Sequence, residues 1–112
     1  MNVPEISHDD LKRVKLDGQV VLLDCNGTET YREHHIPGAI DFEAEQKHLN
    51  EVLPPDSFSP IVIYCGSEMC HAWETCAEAL EKAGFTNLLH YAPGIKGWMA
   101  RGEKTESAEV RH

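Results

Sequence analysis

The chain has 112 residues, 41% hydrophobic and 26% charged, which is an ordinary balance for one water-soluble globular domain. Its formal charge of −9 argues against a surface for nucleic acid or anionic lipid, since phosphate contacts need clustered Lys and Arg. No apolar run is long enough to span a bilayer, and the first five residues lack the features of a secretory signal. We therefore expect a cytoplasmic protein whose partners are small molecules or proteins.

Helix and strand signals alternate along the whole chain. Ser7 is a typical N-cap, and acidic residues follow it in the first turn. Continuous apolar runs of strand length, such as 61–64, indicate strands that are buried on both faces of a sheet. The predicted elements are a helix from Ser7 to Asp17, strand 20–24, a helix 29–34 capped by Thr28, strand 39–40, helix 42–53, strand 61–64, helix 71–83 ending at Gly84, strand 88–91 and a short helix holding Ile95 and Trp98.

Alternation of strand and helix with short connections predicts an α/β fold, with right-handed crossovers and a parallel sheet covered by helices on both faces. Ligands of such sheets bind beyond the carboxyl ends of the strands. Cys25 and Cys65 both lie at predicted strand ends. The two thiols are therefore expected to share one crevice.

Cys65 is the strongest candidate for a catalytic residue. It stands where the apolar run 61–64 stops and a polar turn begins. The turn and the start of the next helix comprise Gly66, Ser67, Glu68, Met69, Cys70 and His71. Amides of such a loop converge and favour negative charge. Lowering a thiol pKa from about 8.5 to 7 needs only about 2 kcal/mol.

The competing interpretation of Cys65 is a buried and inert cysteine at a strand end, which is common for this residue type. The two interpretations make different structural demands. The catalytic interpretation expects amides that point toward the Cys65 sulfur, a thiol pKa below its ordinary value and contact of the sulfur with water.

The four cysteines, at 25, 65, 70 and 76, are too few for a disulfide-rich scaffold and are expected to be reduced. A structural zinc site usually needs two closely spaced ligand pairs, and no second pair follows Cys65 and Cys70, so no metal is predicted. Cys76 falls on the apolar face of its helix and is expected to pack in the core. His34 and His35 are assigned to a structural turn, whereas His71 could lend charge to the loop if protonated.

Four segments of the sequence resemble the single-domain rhodaneses, a family of sulfurtransferases. These are Asp24, the run His35-Ile36-Pro37-Gly38-Ala39-Ile40, Cys65 with its turn, and Gly97-Trp98 through Arg101-Gly102. The resemblance implies a five-stranded, mainly parallel sheet in a single domain, with a core of about 5–105 and a flexible tail at 106–112. It also implies that Cys65 accepts a sulfane sulfur as a persulfide and passes it to a thiol or protein acceptor, without a cofactor.

The sequence departs from the family pattern around the predicted site. Members that use thiosulfate often carry basic residues in this loop, commonly arginine at the place of Cys70, and arginine at the place of Asn26. Here the loop has no basic residue and contains Glu68, so little positive charge is expected at the opening of the predicted site. Good thiosulfate activity is therefore doubtful, and a persulfide on a protein or a small thiol is the expected donor.

Cys70 leaves two functional alternatives open. It could resolve an intermediate on Cys65 by forming a Cys65–Cys70 disulfide, or it could simply fill the first turn of the helix. A different class of function is a non-catalytic binding or redox-sensing module that uses the same disulfide. Phosphate-ester or arsenate chemistry ranks last, because the loop lacks an arginine to hold a tetrahedral dianion.

Overall fold

A computed structural model of the protein describes residues 3–18, 20–54 and 58–108. The elements are α1 (His8–Leu16), β1 (Val21–Asp24), α2 (Thr28–Glu33), β2 (Ile40–Asp41), α3 (Phe42–Glu45), α4 (Leu49–Val52), β3 (Ile61–Tyr64), α5 (Ala72–Lys82), β4 (Leu88–His90) and α6 (Gly94–Ala100). Within these residues no helix has the length and apolar content needed to traverse a lipid bilayer.

The strands form one parallel sheet in the order β2-β1-β3-β4. The fifth strand implied by the family resemblance is reduced to a single parallel bridge between Glu5 and His90. Two hydrogen bonds hold it beside β4, from the Ile6 amide to the His90 carbonyl at 3.0 Å and from the His90 amide to the Pro4 carbonyl at 2.8 Å. Pro4 has no amide hydrogen to donate and α1 begins at His8, so the segment is too short for a longer ladder.

Successive side chains of the central strands alternate between two buried clusters, one on each face of the sheet. The first, which packs against α3, α4 and α5, contains Leu23, Phe42, Leu49, Leu53, Ile61, Ile63, Cys76, Ala77, Leu80, Phe85 and Leu88. The second, which packs against α1 and α6, contains Leu11, Leu22, Ile36, Ala39, Val62, Tyr64, Tyr91, Ile95 and Trp98. The predicted α/β fold with helices on both faces is confirmed.

The single helix predicted for 42–53 is wrong. The structure has two one-turn helices, α3 and α4, separated by the exposed residues 46–48. The Asp41 side chain caps α3 by accepting from the Glu43 amide, and no large apolar residue lies between Phe42 and Leu49. A helix this short needs a continuous buried stripe for stability, and its middle has none.

Two smaller differences concern a helix cap and the tail. Gly27, with φ +94°, precedes α2 in place of the predicted Thr28 cap, and the Glu43 carboxylate accepts a hydrogen bond from the Thr28 amide at the start of this helix. Residues 106–108, assigned to a flexible tail, are hydrogen-bonded to the body of the domain. Glu106 exchanges two backbone bonds with His35 at 2.8 and 2.9 Å, and the Ala108 amide donates to the Arg32 carbonyl. The rest of the predicted tail, 109–112, lies outside the described residues.

Candidate active site

The loop after β3 is held from one side by the start of α6. The carbonyl oxygens of Cys65 and Gly66 accept hydrogen bonds from the amides of Ile95 and Lys96, at 2.9 and 3.0 Å. In a trans peptide the C=O and N–H point in opposite directions. The amides of residues 66 and 67 are therefore turned away from α6 and into the loop.

Gly94 makes this close approach of α6 feasible. Its φ is +67°, and a Cβ there would lie 2.4 Å from the Cys65 carbonyl oxygen and 2.8 Å from the Ser67 nitrogen. A side chain would clash with the backbone of the loop, so only glycine fits both the conformation and the space.

The sulfur of Cys65 lies deep in the loop, and the residue is only 1% exposed. Burial is the main reason that the pKa of its thiol is raised, to about 12. The hydrogen bond that the thiol donates to Cys70 raises the pKa further, whereas the amides of Trp73 and Gly66 act in the opposite direction. Of the amides expected to face the Cys65 sulfur, that of Gly66 acts on it together with that of Trp73, whereas the amides of Met69 and Cys70 donate to Ser67. These contacts do not make Cys65 acidic.

Cys70 is the acidic thiol of the pair. Its partial burial acts to raise the pKa, but the hydrogen bond from Cys65 and the amides of Gly66 and Ala72 outweigh burial, so the pKa is lowered. Cys70 closes the turn at its rim and is half-buried, whereas Cys65 sits at the strand end below it. The expectation of an acidic, water-exposed Cys65 is thus wrong, and the difference in depth is the reason.

Cys25 and Asn26 lie beside this loop, as predicted for crevice neighbours. The charges of Cys25 and Cys65 are close enough to influence each other, and Cys25 also hydrogen-bonds Cys76. Burial is the largest cause that raises the pKa of the Cys25 thiol well above its ordinary value. The Asn26 carboxamide oxygen approaches the loop at Gly66, at 3.4 Å from where a Cβ would stand. Cys76 is 1% exposed and packs in the core.

A buried hydrogen-bond network fixes the ends of β1 and β3. The Tyr64 hydroxyl donates to Asp24 Oδ2 at 2.7 Å and accepts from the Ile36 amide at 3.0 Å. Asp24 Oδ1 accepts from the Asn26 amide at 2.8 Å. Burial raises the pKa of the Asp24 carboxyl, and burial with the Asp24 charge raises the pKa of Tyr64. The network positions Cys65, which follows Tyr64 directly in the chain.

Sequence reasoning treated Tyr64 only as a strand residue and missed this role. One signal in the sequence indicated this role. Tyr64 carries a hydroxyl, lies in a run that is otherwise aliphatic, and directly precedes the cysteine at the strand end. A buried hydroxyl requires a partner, and Asp24 at the end of a neighbouring strand was the nearest candidate.

The loop itself has no basic residue, but the folded structure places two basic side chains beside it. Lys96 of α6 and Arg101, which directly follows α6, line a groove beside the loop residues Ser67, Glu68 and Met69. They lie about thirty residues away in sequence and are brought there by the docking of α6 on the loop.

The histidines near the site have structural partners. His71 is exposed and its Nδ1 lies 3.2 Å from Glu74 Oε1. His35 is buried, stacks on Tyr31 with ring centroids 3.8 Å apart, and donates from Nδ1 to the Tyr31 carbonyl. Across residues 3–18, 20–54 and 58–108, no group of three or more His, Cys, Asp or Glu side chains is arranged to hold a metal ion.

The parallel sheet and the loop after β3 define a class of α/β domain in which a cysteine begins a loop at the end of a central strand. The rhodanese-like domain family matches residues 7–101, and the chain belongs to this family. It is 30% identical over 105 residues to the Bacillus subtilis protein named "Putative sulfur carrier protein YrkF". The match covers 91% of this chain and 54% of YrkF, so the chain spans about half the length of that relative.

Two solved structures share the fold. The Alr3790 protein from Anabaena superposes with a TM-score of 0.77 at 24% identity, with 94% of each chain covered. The human single-domain sulfurtransferase TSTD1 superposes with a TM-score of 0.71 at 19% identity, with 89% of this chain and 98% of that chain covered. Both likenesses concern the architecture of the domain.

Proposed function

We propose that this protein is a sulfurtransferase that accepts a sulfane sulfur on Cys65 as a persulfide and passes it to a thiophilic acceptor. Cys70 serves as proton acceptor and resolving thiol. The observation that carries the proposal is the pairing of Cys65 and Cys70 in one loop, where each thiol shifts the pKa of the other and the amides of Gly66, Ala72 and Trp73 act on the two sulfurs.

Of the two thiols Cys70 loses its proton more readily, because its pKa is lowered whereas the pKa of Cys65 is raised. Transfer of the Cys65 proton to the Cys70 sulfur places the anion on Cys65, where the amides of Gly66 and Trp73 stabilise it. The Cys65 thiolate then attacks the sulfane sulfur of the donor. A new S–S bond forms on Cys65, and the donor's sulfur bond breaks with its electron pair leaving on the donor residue.

The persulfide has two outcomes that differ in which sulfur is attacked. An acceptor thiolate that attacks the outer sulfur takes that atom and returns Cys65 as a thiolate. If the Cys70 thiolate attacks the inner sulfur instead, a Cys65–Cys70 disulfide forms and the outer sulfur leaves as hydrosulfide. Cys70 therefore limits the lifetime of a persulfide that meets no acceptor.

The donor is a persulfide on a small thiol or a protein cysteine. Glu68 is the one charged side chain of the loop, so the loop itself disfavours the thiosulfate dianion. The printed names of "Putative sulfur carrier protein YrkF" and of the human single-domain sulfurtransferase TSTD1 support sulfur transfer as the chemistry of this fold.

Intact-mass measurement after incubation with a persulfide donor tests the proposal. We expect the protein to gain one sulfur atom, Cys65→Ser to lose this gain, and Cys76→Ser to retain it. Cys70→Ser should still load, but more slowly at neutral pH, because Cys65 then lacks its proton acceptor. A gain that persists in Cys65→Ser would contradict the assignment of Cys65.

The same pair of thiols favours a second candidate, a non-catalytic redox-sensing or binding module. Cys65 and Cys70 are free cysteines of the same loop and each shifts the pKa of the other, so a disulfide between them is the bond that this candidate would use. This candidate predicts no sulfur turnover with any donor, together with a loss of two hydrogen atoms on mild oxidation that requires both Cys65 and Cys70.

A further inference from the structure

A groove of about 350 Å³ runs between the loop and α6. Its walls are formed by Ser67, Glu68 and Met69 on the loop side and by Pro93, Lys96, Gly97, Ala100 and Arg101 on the other. Its volume matches a small ligand rather than a protein surface. The Met69 side chain lines the groove and is 85% exposed, and Cys70 follows Met69 directly in the chain.

The two cations of the groove have no acidic partner among the residues that the structure describes. Lys12 and Arg13 of α1 make ion pairs with Glu103 and Asp10, but no such pair involves Lys96 or Arg101. Two positive charges against Glu68 leave this groove positive, on a chain whose formal charge is −9. The groove beside the loop therefore carries positive charge that no ion pair among the described residues neutralises.

The position of the Arg101 guanidinium depends on a glycine. Arg101 Nη1 donates to the Gly97 carbonyl at 3.0 Å, which folds the side chain back along α6 toward the loop. A Cβ at Gly97 would lie 3.2 Å from Nη1 and 2.2 Å from Pro93 Cβ. The absence of a side chain at Gly97 leaves a flat face on which the guanidinium lies, with its other donors free for a ligand.

We propose that this groove binds the carboxylate of a small thiol, and that such a carboxylate-bearing thiol is the sulfur acceptor. Lys96 and Arg101 hold the carboxylate, Met69 contacts the aliphatic part, and the thiol reaches the loop sulfurs. The identity of the ligand as a thiol rests on the proposed function, whereas the carboxylate site is tested independently of it.

The transfer step balances without any further reagent. The acceptor thiolate attacks the outer sulfur of the Cys65 persulfide and forms a new S–S bond. The bond from that sulfur to Cys65 breaks, and its electron pair leaves on Cys65 as thiolate. The product is a persulfide that carries the same carboxylate and leaves through the same groove.

Two alkylating reagents of nearly equal size test the carboxylate site. Iodoacetate carries the carboxylate and iodoacetamide is its neutral counterpart, so the ratio of their rates at the loop thiol reports attraction of the carboxylate. We expect Lys96→Ala and Arg101→Ala each to lower this ratio about two- to fivefold, and Glu68→Gln to raise it by a similar factor. High salt should reduce all three effects.

Lys82→Ala is the matched control, because it removes the same charge from an exposed position in the last turn of α5, far from the loop. Its ratio should equal that of the unmodified sequence. An unchanged ratio in both Lys96→Ala and Arg101→Ala would overturn the carboxylate site, whether or not the protein transfers sulfur.

A second comparison tests the acceptor on the persulfide-loaded protein. Discharge by 3-mercaptopropionate should slow about two- to fivefold in Lys96→Ala, while discharge by the uncharged 2-mercaptoethanol should not change. Equal slowing of both thiols would contradict the proposed acceptor class. Failure of the protein to load sulfur, with the alkylation ratio still falling in the variants, would instead refute the proposed function and leave a carboxylate-binding groove beside a reactive thiol.

Discussion

Cys65 and Cys70 lie close enough together in the loop for each thiol to shift the pKa of the other, upward for Cys65 and downward for Cys70, so the two cysteines are chemically unequal. The deeper residue keeps the proton because burial disfavours its charged form. The pKa of the residue at the rim is lowered because Cys65 and two backbone amides act on it. Reagents from solution therefore reach Cys70 before Cys65. In the proposed function the transferred sulfur is held on the deeper Cys65.

The unequal pair predicts which cysteine reacts first with an alkylating reagent. Iodoacetamide should modify Cys70, with a rate that is half-developed below the pH of about 8.5 typical of a free cysteine. Replacement of Cys65 by Ala removes the hydrogen-bond donor and should move the midpoint upward. Peptide mapping by mass spectrometry over a range of pH provides the measurement, and preferential modification of Cys65 would contradict the assignment.

Gly94→Ala should be strongly destabilising, because the added methyl group would clash with the loop backbone at Cys65 and a left-handed φ is itself unfavourable for alanine. We expect the free energy of unfolding to fall by more than about 3 kcal/mol. Urea denaturation measures the loss. The control is Gly84→Ala, where φ is +97° but no atom lies within 4 Å, so only the backbone cost of about 1–2 kcal/mol applies. Equal losses at the two glycines would argue against a tight contact between α6 and the loop.

Tyr64→Phe tests the network beneath the site. The change leaves Asp24 Oδ2 and the Ile36 amide without their buried partner, which should cost about 2–4 kcal/mol of unfolding free energy. Thermal and urea unfolding measure the loss. Tyr31→Phe is the matched control, since it removes one hydroxyl bond to the Ala39 carbonyl in a half-buried position and should cost about 1 kcal/mol. A milder loss for Tyr64→Phe than for Tyr31→Phe would count against the network.

His90 should make the domain less stable in mild acid. Burial lowers the pKa of its imidazole, although Glu5 and Glu74 partly oppose this. Below a pH of about 6.5 the unfolded chain therefore binds more protons at this residue than the folded one, so its contribution to stability is lost as the pH falls through the lowered pKa.

His90→Phe removes the titration but keeps an aromatic ring against Trp73, which stacks on His90 with ring centroids 4.0 Å apart. The free energy of unfolding should then vary less between pH 7 and pH 5 than in the unmodified protein. Denaturation at several pH values measures this slope. His48→Phe, at an exposed histidine, should leave the slope as it is, and a similar flattening there would contradict the role of His90.

Much of the architecture followed from local sequence patterns. The capping Ser7, the continuous apolar run 61–64 and the helical spacing that places Cys76 and Leu80 on one face are properties of neighbouring residues, and each element formed as predicted. The prediction of one helix over 42–53 was wrong because it used local spacing alone. The apolar positions fitted a helical period, but only contact with the core could decide whether the middle of the segment had anything to pack against.

The sequence by itself determined that a cysteine follows a buried strand and that a second one closes the turn, because chain order decides both. Only the tertiary structure decided which of the two sulfurs carries the charge, since a pKa depends on depth and on which groups surround the atom in space. The same holds for Lys96 and Arg101, which become neighbours of the loop only when α6 packs across it. Burial and the approach of distant segments are properties of the assembled fold, and no local pattern encodes them.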